Sequence, residues 1–294
     1  MGERRTEKLR ELRLHDPDAI TEAARRRRRR PLVRDDGKVF IVAADHPGRG
    51  ALGVGSVPMA MADRDDLLER LCVALERPGV DGVLATPDIL EDLLLLGVLD
   101  GRVAIGSMNR GGIVDTSFEL DDRFTAYDVK TIVDMGLDGG KMLCRIAPDD
   151  PASVATLEAC GRAITGLAGE RLMAMVEPFW ARRLSGQRVE NDLSSDMVIR
   201  SVSVSAALGA TSAYTWLKLP VVADMRRVVA ATTLPVLVLG GDPGAREGDT
   251  REALANALGL PGVRGLAAGR ALLYPDDGDV AGGIDEMARA LGRR

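Results

Sequence analysis

The chain of 294 residues carries 39 basic and 44 acidic side chains, a net charge of −5 and 46% hydrophobic residues. That length and apolar content can bury one large α/β core or two small ones, and the acidic balance argues against a general nucleic-acid binder. Two histidines (His15, His46) and three cysteines (Cys72, Cys144, Cys160) without metal-ligand spacing exclude histidine-rich metal sites and argue against disulfides and structural zinc.

Residues 1–36 read as an N-terminal helical extension ahead of the main domain. It begins with the basic stretch MGERRTEKLR, which no apolar signal core follows, and no run of about 18 apolar residues occurs anywhere. A cytoplasmic protein with no membrane segment is expected. The extension closes on six consecutive arginines, Arg25 to Arg30. With no aromatic residues interleaved, the run reads as a solvated helix face or short tether rather than a nucleic-acid contact.

Residues 37–294 form one domain of alternating units. The β-rich runs are 38–45, 80–87, 102–108, 138–145, 171–178, 212–219, 235–241 and 263–269. Amphipathic helical stretches follow at about 63–76, 88–97, 125–135, 151–168, 194–208, 222–231, 249–259 and 280–292. Eight strands with interleaved helices predict a (β/α)8 TIM barrel. The alternative, a doubly wound open sheet, lacks a GxGxxG after its first strand.

In such a barrel the active site gathers at the C-terminal strand ends, and here those ends are polar. The first strand ends at Asp45 and leads to Arg49. The third runs into Asn109 and Arg110, the fourth carries Lys141 and ends at Arg145, the fifth ends at Glu177, and the sixth carries Lys218. The chain has five lysines against 34 arginines, so two lysines inside apolar strands stand out. A lysine can lose its proton and act as a nucleophile, whereas a guanidinium cannot. Strand alternation puts Tyr214, Trp216 and Lys218 on one face and Ala213, Thr215, Leu217 and Leu219 on the other, which places Lys218 toward the barrel interior.

A buried amine of this kind suits Schiff-base chemistry, in which an iminium accepts the electrons of a breaking carbon–carbon bond. Lys141 would tune Lys218 and orient a substrate oxygen, and Asp45 or Glu177 would move protons. Gly240 and Gly241 after the seventh strand, and Gly269 and Arg270 after the eighth, are candidate phosphate ligands. Arg49, Arg110 and Arg145 are available for a substrate carboxylate.

These segments resemble, in strand order, the class I (Schiff-base) aldolase superfamily that includes deoxyribose-phosphate, tagatose-bisphosphate and archaeal-type fructose-bisphosphate aldolases. Ala44-Asp45-His46 resembles its strand-one aspartate and Gly140-Lys141-Met142-Leu143 its strand-four lysine segment. Val176-Glu177-Pro178 is similar to the strand-five glutamate of the tagatose-bisphosphate branch, Leu217-Lys218-Leu219-Pro220 to its Schiff-base lysine, and Ala268-Gly269-Arg270-Ala271 to its phosphate-binding turn. Archaeal-type fructose-bisphosphate aldolases have a tyrosine where this chain has Glu177, which sets that branch apart. The charged loop GGDPGAREGD also departs from the usual serine-glycine phosphate loop.

The resemblance implies a class I aldolase acting without cofactor or metal on a phosphorylated keto sugar or sugar acid. It extends to an aldolase-like group linked to bacterial inositol degradation, whose reaction would yield dihydroxyacetone phosphate. A homo-oligomer is expected, with no nucleic-acid or membrane partner. Two other readings stay open, a non-catalytic phosphosugar-binding barrel and a metal-free isomerase or decarboxylase using Lys141 and the carboxylates. Because the ligand spacing for a metal is missing, aldol activity is expected to survive exhaustive chelation with EDTA. Loss of activity restored by zinc or magnesium would point to the metal-dependent mechanism instead.

Overall fold

The computed structural model describes residues 5–184, 189–240 and 247–293. Helices α1 (Arg5–His15) and α2 (Ala19–Arg26) precede the first strand, β1 (Val39–Ala44). There follow α3 (Arg64–Glu76), β2 (Gly82–Ala85), α4 (Pro87–Leu95), β3 (Val103–Ser107), α5 (Val129–Asp134), β4 (Gly139–Ile146), α6 (Ala152–Gly169) and β5 (Met173–Arg183). A short strand, β6 (Val189–Asn191), turns back antiparallel on the end of β5. The alternation resumes with α7 (Ser195–Ala206), β7 (Thr215–Leu219), α8 (Met225–Ala230), β8 (Val236–Val238), α9 (Glu247–Leu258) and β9 (Val263–Ala268). A single turn, α10 (Arg270–Leu273), and α11 (Val280–Ala290) complete it.

Eight parallel strands run in the order β1-β2-β3-β4-β5-β7-β8-β9, and β9 pairs with β1 to close the sheet into a (β/α)8 barrel. Each of the eight sequence-predicted strands lands on a barrel strand, the sixth being β7. Only β6 had no forerunner in the sequence reading. It exists because β5 overshoots the barrel mouth, where Ala181, Arg182 and Arg183 find partners in Asn191, Glu190 and Val189. Aspartates fix several helix starts, with Asp63, Asp128, Asp224 and Asp279 each accepting a backbone N–H of the first turn.

Strand alternation divides the core in two. Phe40, Val42, Leu217 and Leu219 point outward into the main cluster beneath the helices, whereas Val39, Ile41, Val103, Met173, Met175 and Leu237 fill the barrel interior. Trp216 packs with the interior set and so fixes the inward face of β7, the face that carries Lys218. Leu32 and Val33, from the segment ahead of β1, also pack against the interior cluster.

The arginine run departs from expectation in part. Helix α2 ends at Arg26, and the arginines beyond it reach carboxylates at the N-terminal end of the barrel; Arg27 is buried and Arg30 half-buried there, while Arg28 and Arg29 remain exposed as expected of a solvated run. Arg27 and Arg29 pair with Asp138, Arg28 with Asp100, and Arg30 with Asp81. Asp81, fully buried, also takes Arg34 and, at 2.7 Å, Arg293 from the C-terminal end of the chain. The same carboxylate accepts the Phe40 N–H at 2.6 Å, and Asp138 accepts the Ala104 N–H at 2.9 Å. Each aspartate thereby ties a strand backbone to the arginine segment, and buried carboxylates need such partners. Helices α1 and α2 are held in turn by Arg13, which reaches Glu91 and Asp92 of α4, and by burial of Leu9 and Ala24 in the main core.

Removing Asp81 would leave Arg30, Arg34, Arg293 and the Phe40 N–H without their shared acceptor. Asp81→Ala is expected to lower unfolding free energy by about 3–5 kcal/mol, measured by urea denaturation. A loss within experimental error would show that water replaces the carboxylate.

Candidate active site

The inward-facing positions turn from apolar to charged toward the C-terminal strand ends, as Val39, Ile41 and Ala43 give way to Asp45, and Met173 and Met175 to Glu177. Register brings these positions together. Lys141 pairs with Met175, so Glu177 lies two residues further along the same face, and Val176 pairs with Leu217, one step before Glu177 and Lys218.

Glu177 consequently sits between the two lysines. Its Oε1 accepts from Lys218 Nζ at 2.8 Å, and its Oε2 is in close contact with Lys141 Nζ. Lys141 also donates to Asp45 Oδ2 at 3.0 Å. The same oxygen accepts from Ser107 Oγ at 3.2 Å and meets the Arg110 guanidinium, whose Nε donates to Ser107 Oγ at 2.9 Å. Five charged side chains, Asp45, Arg110, Lys141, Glu177 and Lys218, form one buried network.

Burial, then the neighbouring Arg110 and Lys218 charges, hold the Lys141 ammonium well below the ordinary lysine value. Burial alone would raise the Glu177 carboxyl. The Lys141 and Lys218 charges outweigh it and keep Glu177 ionised, well below the usual carboxylate range. Burial lowers Arg110 to about 10, which leaves it charged at neutral pH.

A cavity of about 160 Å³ opens above this network. Lys218, Glu177, Asp45 and Arg110 face it; Lys141 is fully buried and lies behind its wall. Of the candidate anion ligands, Gly240, Gly269, Arg270 and Arg49 line the cavity, and Gly241 lies outside the described residues. Both described glycines also answer a packing demand. A Cβ at Gly269 would collide with the Ala43 carbonyl oxygen, and one at Gly240 would come within 2.6 Å of Ala268 Cβ. Four basic side chains, Arg49, Arg110, Lys218 and Arg270, line the cavity against two carboxylates, in a chain whose net charge is negative.

Arg145 stands apart from the other candidates. Its guanidinium is 2% exposed and turned into the long segment between β3 and α5, where it donates to Asp122 at 2.8 and 2.5 Å and to Glu119 at 3.3 Å. Asn109 closes the same segment through the Asp122 and Leu143 backbones. Arg145 therefore shapes the mouth without lining it.

Residues absent from the sequence reading are Ser107, Glu119, Asp122 and the side chain of His46. Ser107 was within reach, because Val103, Ile105 and Ser107 share one face of β3. Glu119 and Asp122 lie in a long aperiodic loop and carried no signal. His46 lines the cavity with its Nδ1 buried and unpartnered, and burial, then the Arg270 and Lys218 charges, keeps its imidazole neutral. Among the described residues no group of three or more His, Cys, Asp or Glu could hold a metal ion, and no helix is long and apolar enough to cross a membrane.

The model of the Cgl0159-like family matches residues 37–288. The chain belongs to the Cgl0159-like family. Cgl0159 from Corynebacterium glutamicum has 51% sequence identity and a TM-score of 0.95, covering 99% of this chain and 98% of its own. An archaeal fructose 1,6-bisphosphate aldolase superposes with a TM-score of 0.65 at 21% identity, covering 92% of this chain and 98% of its own. A third structure, the fructose-bisphosphate aldolase of Slackia heliotrinireducens, gives 0.61 at 13% identity, covering 94% and 89%. The barrel thus shares its fold with fructose-bisphosphate aldolases, among them the archaeal branch from which Glu177 had set it apart. No curated protein matches the chain.

The depressed Glu177 carboxyl has a consequence for acid stability. Its contribution to folding is complete above the unfolded carboxylate value and is lost as pH falls through the lower folded value. Wild type should therefore exceed Glu177→Gln in stability at neutral pH, with the gap beginning to close as pH falls below about 5 and still closing below the usual carboxylate range. Denaturant titrations across that range measure it, and a gap independent of pH would mean that Glu177 is not ionised in the fold.

Proposed function

We propose that this protein is a class I aldolase that cleaves or forms a carbon–carbon bond in a phosphorylated keto sugar or keto-deoxy sugar acid through an imine on Lys218. The observation that carries the reading is the division of labour between the lysines. Lys218 faces the cavity and touches Glu177, while Lys141 is sealed behind the wall against the same carboxylate.

The proton on Lys218 has a route away, through Glu177 Oε1, with Lys141 exchanging protons at Oε2. The freed Nζ lone pair attacks the substrate ketone carbon, and the carbonyl oxygen takes a proton to give a carbinolamine. Glu177, 2.8 Å from Nζ, is placed to protonate the departing hydroxyl, which leaves as water and yields the iminium. Asp45 then accepts the proton of the hydroxyl on the far side of the breaking bond. An aldehyde departs, and the bonding pair passes into the iminium as an enamine. Protonation of the enamine carbon and addition of water release the ketone and restore the Lys218 amine. Ser107, Arg110 and Lys141 hold Asp45 through its Oδ2, while its other oxygen takes none of these bonds.

Gly240, Gly269 and Arg270 would receive the phosphate, supported by their place at the ends of β8 and β9. A 5-dehydro-2-deoxyphosphogluconate-type substrate, giving dihydroxyacetone phosphate as in inositol breakdown, fits this reading. One fold neighbour, an archaeal fructose-1,6-bisphosphate aldolase whose catalytic lysine is covalently bound to the carbinolamine intermediate of its substrate, is consistent with the same chemistry.

Borohydride added to protein and dihydroxyacetone phosphate should leave a stable adduct on the peptide containing Lys218, and Lys218→Arg should abolish adduct and turnover while the protein stays folded. An adduct on Lys141, or none, would overturn the assignment.

A further inference from the structure

We infer that Arg49 is a specificity residue, binding a carboxylate at the end of the substrate opposite its phosphate. The inference rests on the preceding reading for the phosphate end and adds a second anionic end.

Barrel order supplies the first argument. In the closed ring, β3 and β4 lie diametrically opposite β8 and β9, with β5 and β7 between them on one side and β1 and β2 on the other. The proposed phosphate ligands Gly240, Gly269 and Arg270 follow β8 and β9. Arg49 follows β1, yet its side chain reaches the segment after β3, where Nε donates to the Gly112 carbonyl at 3.0 Å. Val114 N–H bonds back to the Arg49 carbonyl at 3.0 Å and fixes that approach. A ligand spanning the mouth from Arg270 to Arg49 crosses the cavity that Glu177 and Lys218 also line.

The second argument compares the three arginines offered for a carboxylate. Arg145 is saturated by Asp122 and Glu119 and lies outside the cavity wall. Arg110 faces the cavity with its guanidinium on Asp45 and Ser107. Arg49 faces it with Nε on a neutral carbonyl and one long contact, 3.4 Å, to Glu119. Glu119 is itself divided between Arg145 and the Asp115 N–H. A guanidinium has five N–H donors, so Arg49 keeps several for a ligand. Burial, then the Arg145 charge, lowers it to about 10.

The anion is a carboxylate rather than a second phosphate because of Glu119. One guanidinium balances one negative charge, and a phosphate dianion would add a second charge beside that carboxylate.

The test uses two unreactive ligands that differ only at the end in question, 6-phosphogluconate and glucitol 6-phosphate, with affinities measured by calorimetry. Wild type should bind 6-phosphogluconate at least about 10-fold more tightly. Arg49→Gln should abolish that preference and Arg49→Lys should keep part of it, with glucitol 6-phosphate binding reporting that each variant is folded. Equal affinities in wild type, or a preference that survives Arg49→Gln, would overturn the inference, and failure of wild type to bind either ligand would overturn it together with the phosphate site. The aldolase reading fails separately, by absence of the Lys218 adduct with dihydroxyacetone phosphate.

Discussion

Two lysines are buried side by side inside this barrel, and Glu177 is the carboxylate that stands between them. Each oxygen serves one ammonium, so neither lysine can move without exposing an uncompensated charge to its neighbour. The arrangement extends through Lys141 to Asp45, Ser107 and Arg110, and the side chains with chemical potential are held in one geometry before any substrate arrives. Preorganisation of this kind is what an imine mechanism needs, since the amine must meet a carbonyl at a fixed distance from its proton donor.

A network of five charges costs desolvation energy, and the rest of the barrel is built to bear it. Beneath it the interior is filled by Val39, Ile41, Val103, Ile105 and Met175, and beyond those by Leu32 and Val33 from the N-terminal segment. The lower end is then closed by aspartates and arginines, with Asp81 and Asp138 each joining a strand backbone to arginines far away in sequence. Charge appears at both ends of the barrel for different reasons. At the lower end each of these arginines ends on an aspartate and the result is cohesion; at the mouth Arg49, Arg110, Lys218 and Arg270 face a cavity in which a ligand would meet them.

The mouth itself is asymmetric. On the side of β8 and β9 the wall is made of close-packed backbone, where Gly240 and Gly269 leave no room for side chains. Across the ring, the long segment after β3 is folded down by Arg145 and Asn109 and brings Gly112 and Glu119 to Arg49. In the proposed reading a ligand would be met by backbone and Arg270 at one end and by Arg49 at the other, in the cavity that Lys218 also lines. This division favours a substrate with unlike ends.

The sequence by itself determined the barrel, because the period of two in strands and the punctuation between βα units are local properties that survive without knowledge of partners. It also determined which side chains face inward, since Trp216 and Lys218 must share a face, as must Met175 and Glu177. Tertiary structure alone decided what those side chains do to one another. That Arg145 is a loop clamp, that Lys141 lies behind the wall and Lys218 on it, and that the arginine run binds Asp81, Asp100 and Asp138 all depend on pairs tens to hundreds of residues apart, such as Arg293 with Asp81. No local pattern encodes such pairs, because a charged side chain has the same propensities whether it ends in water or on a distant carboxylate, and only closure of the barrel settles which.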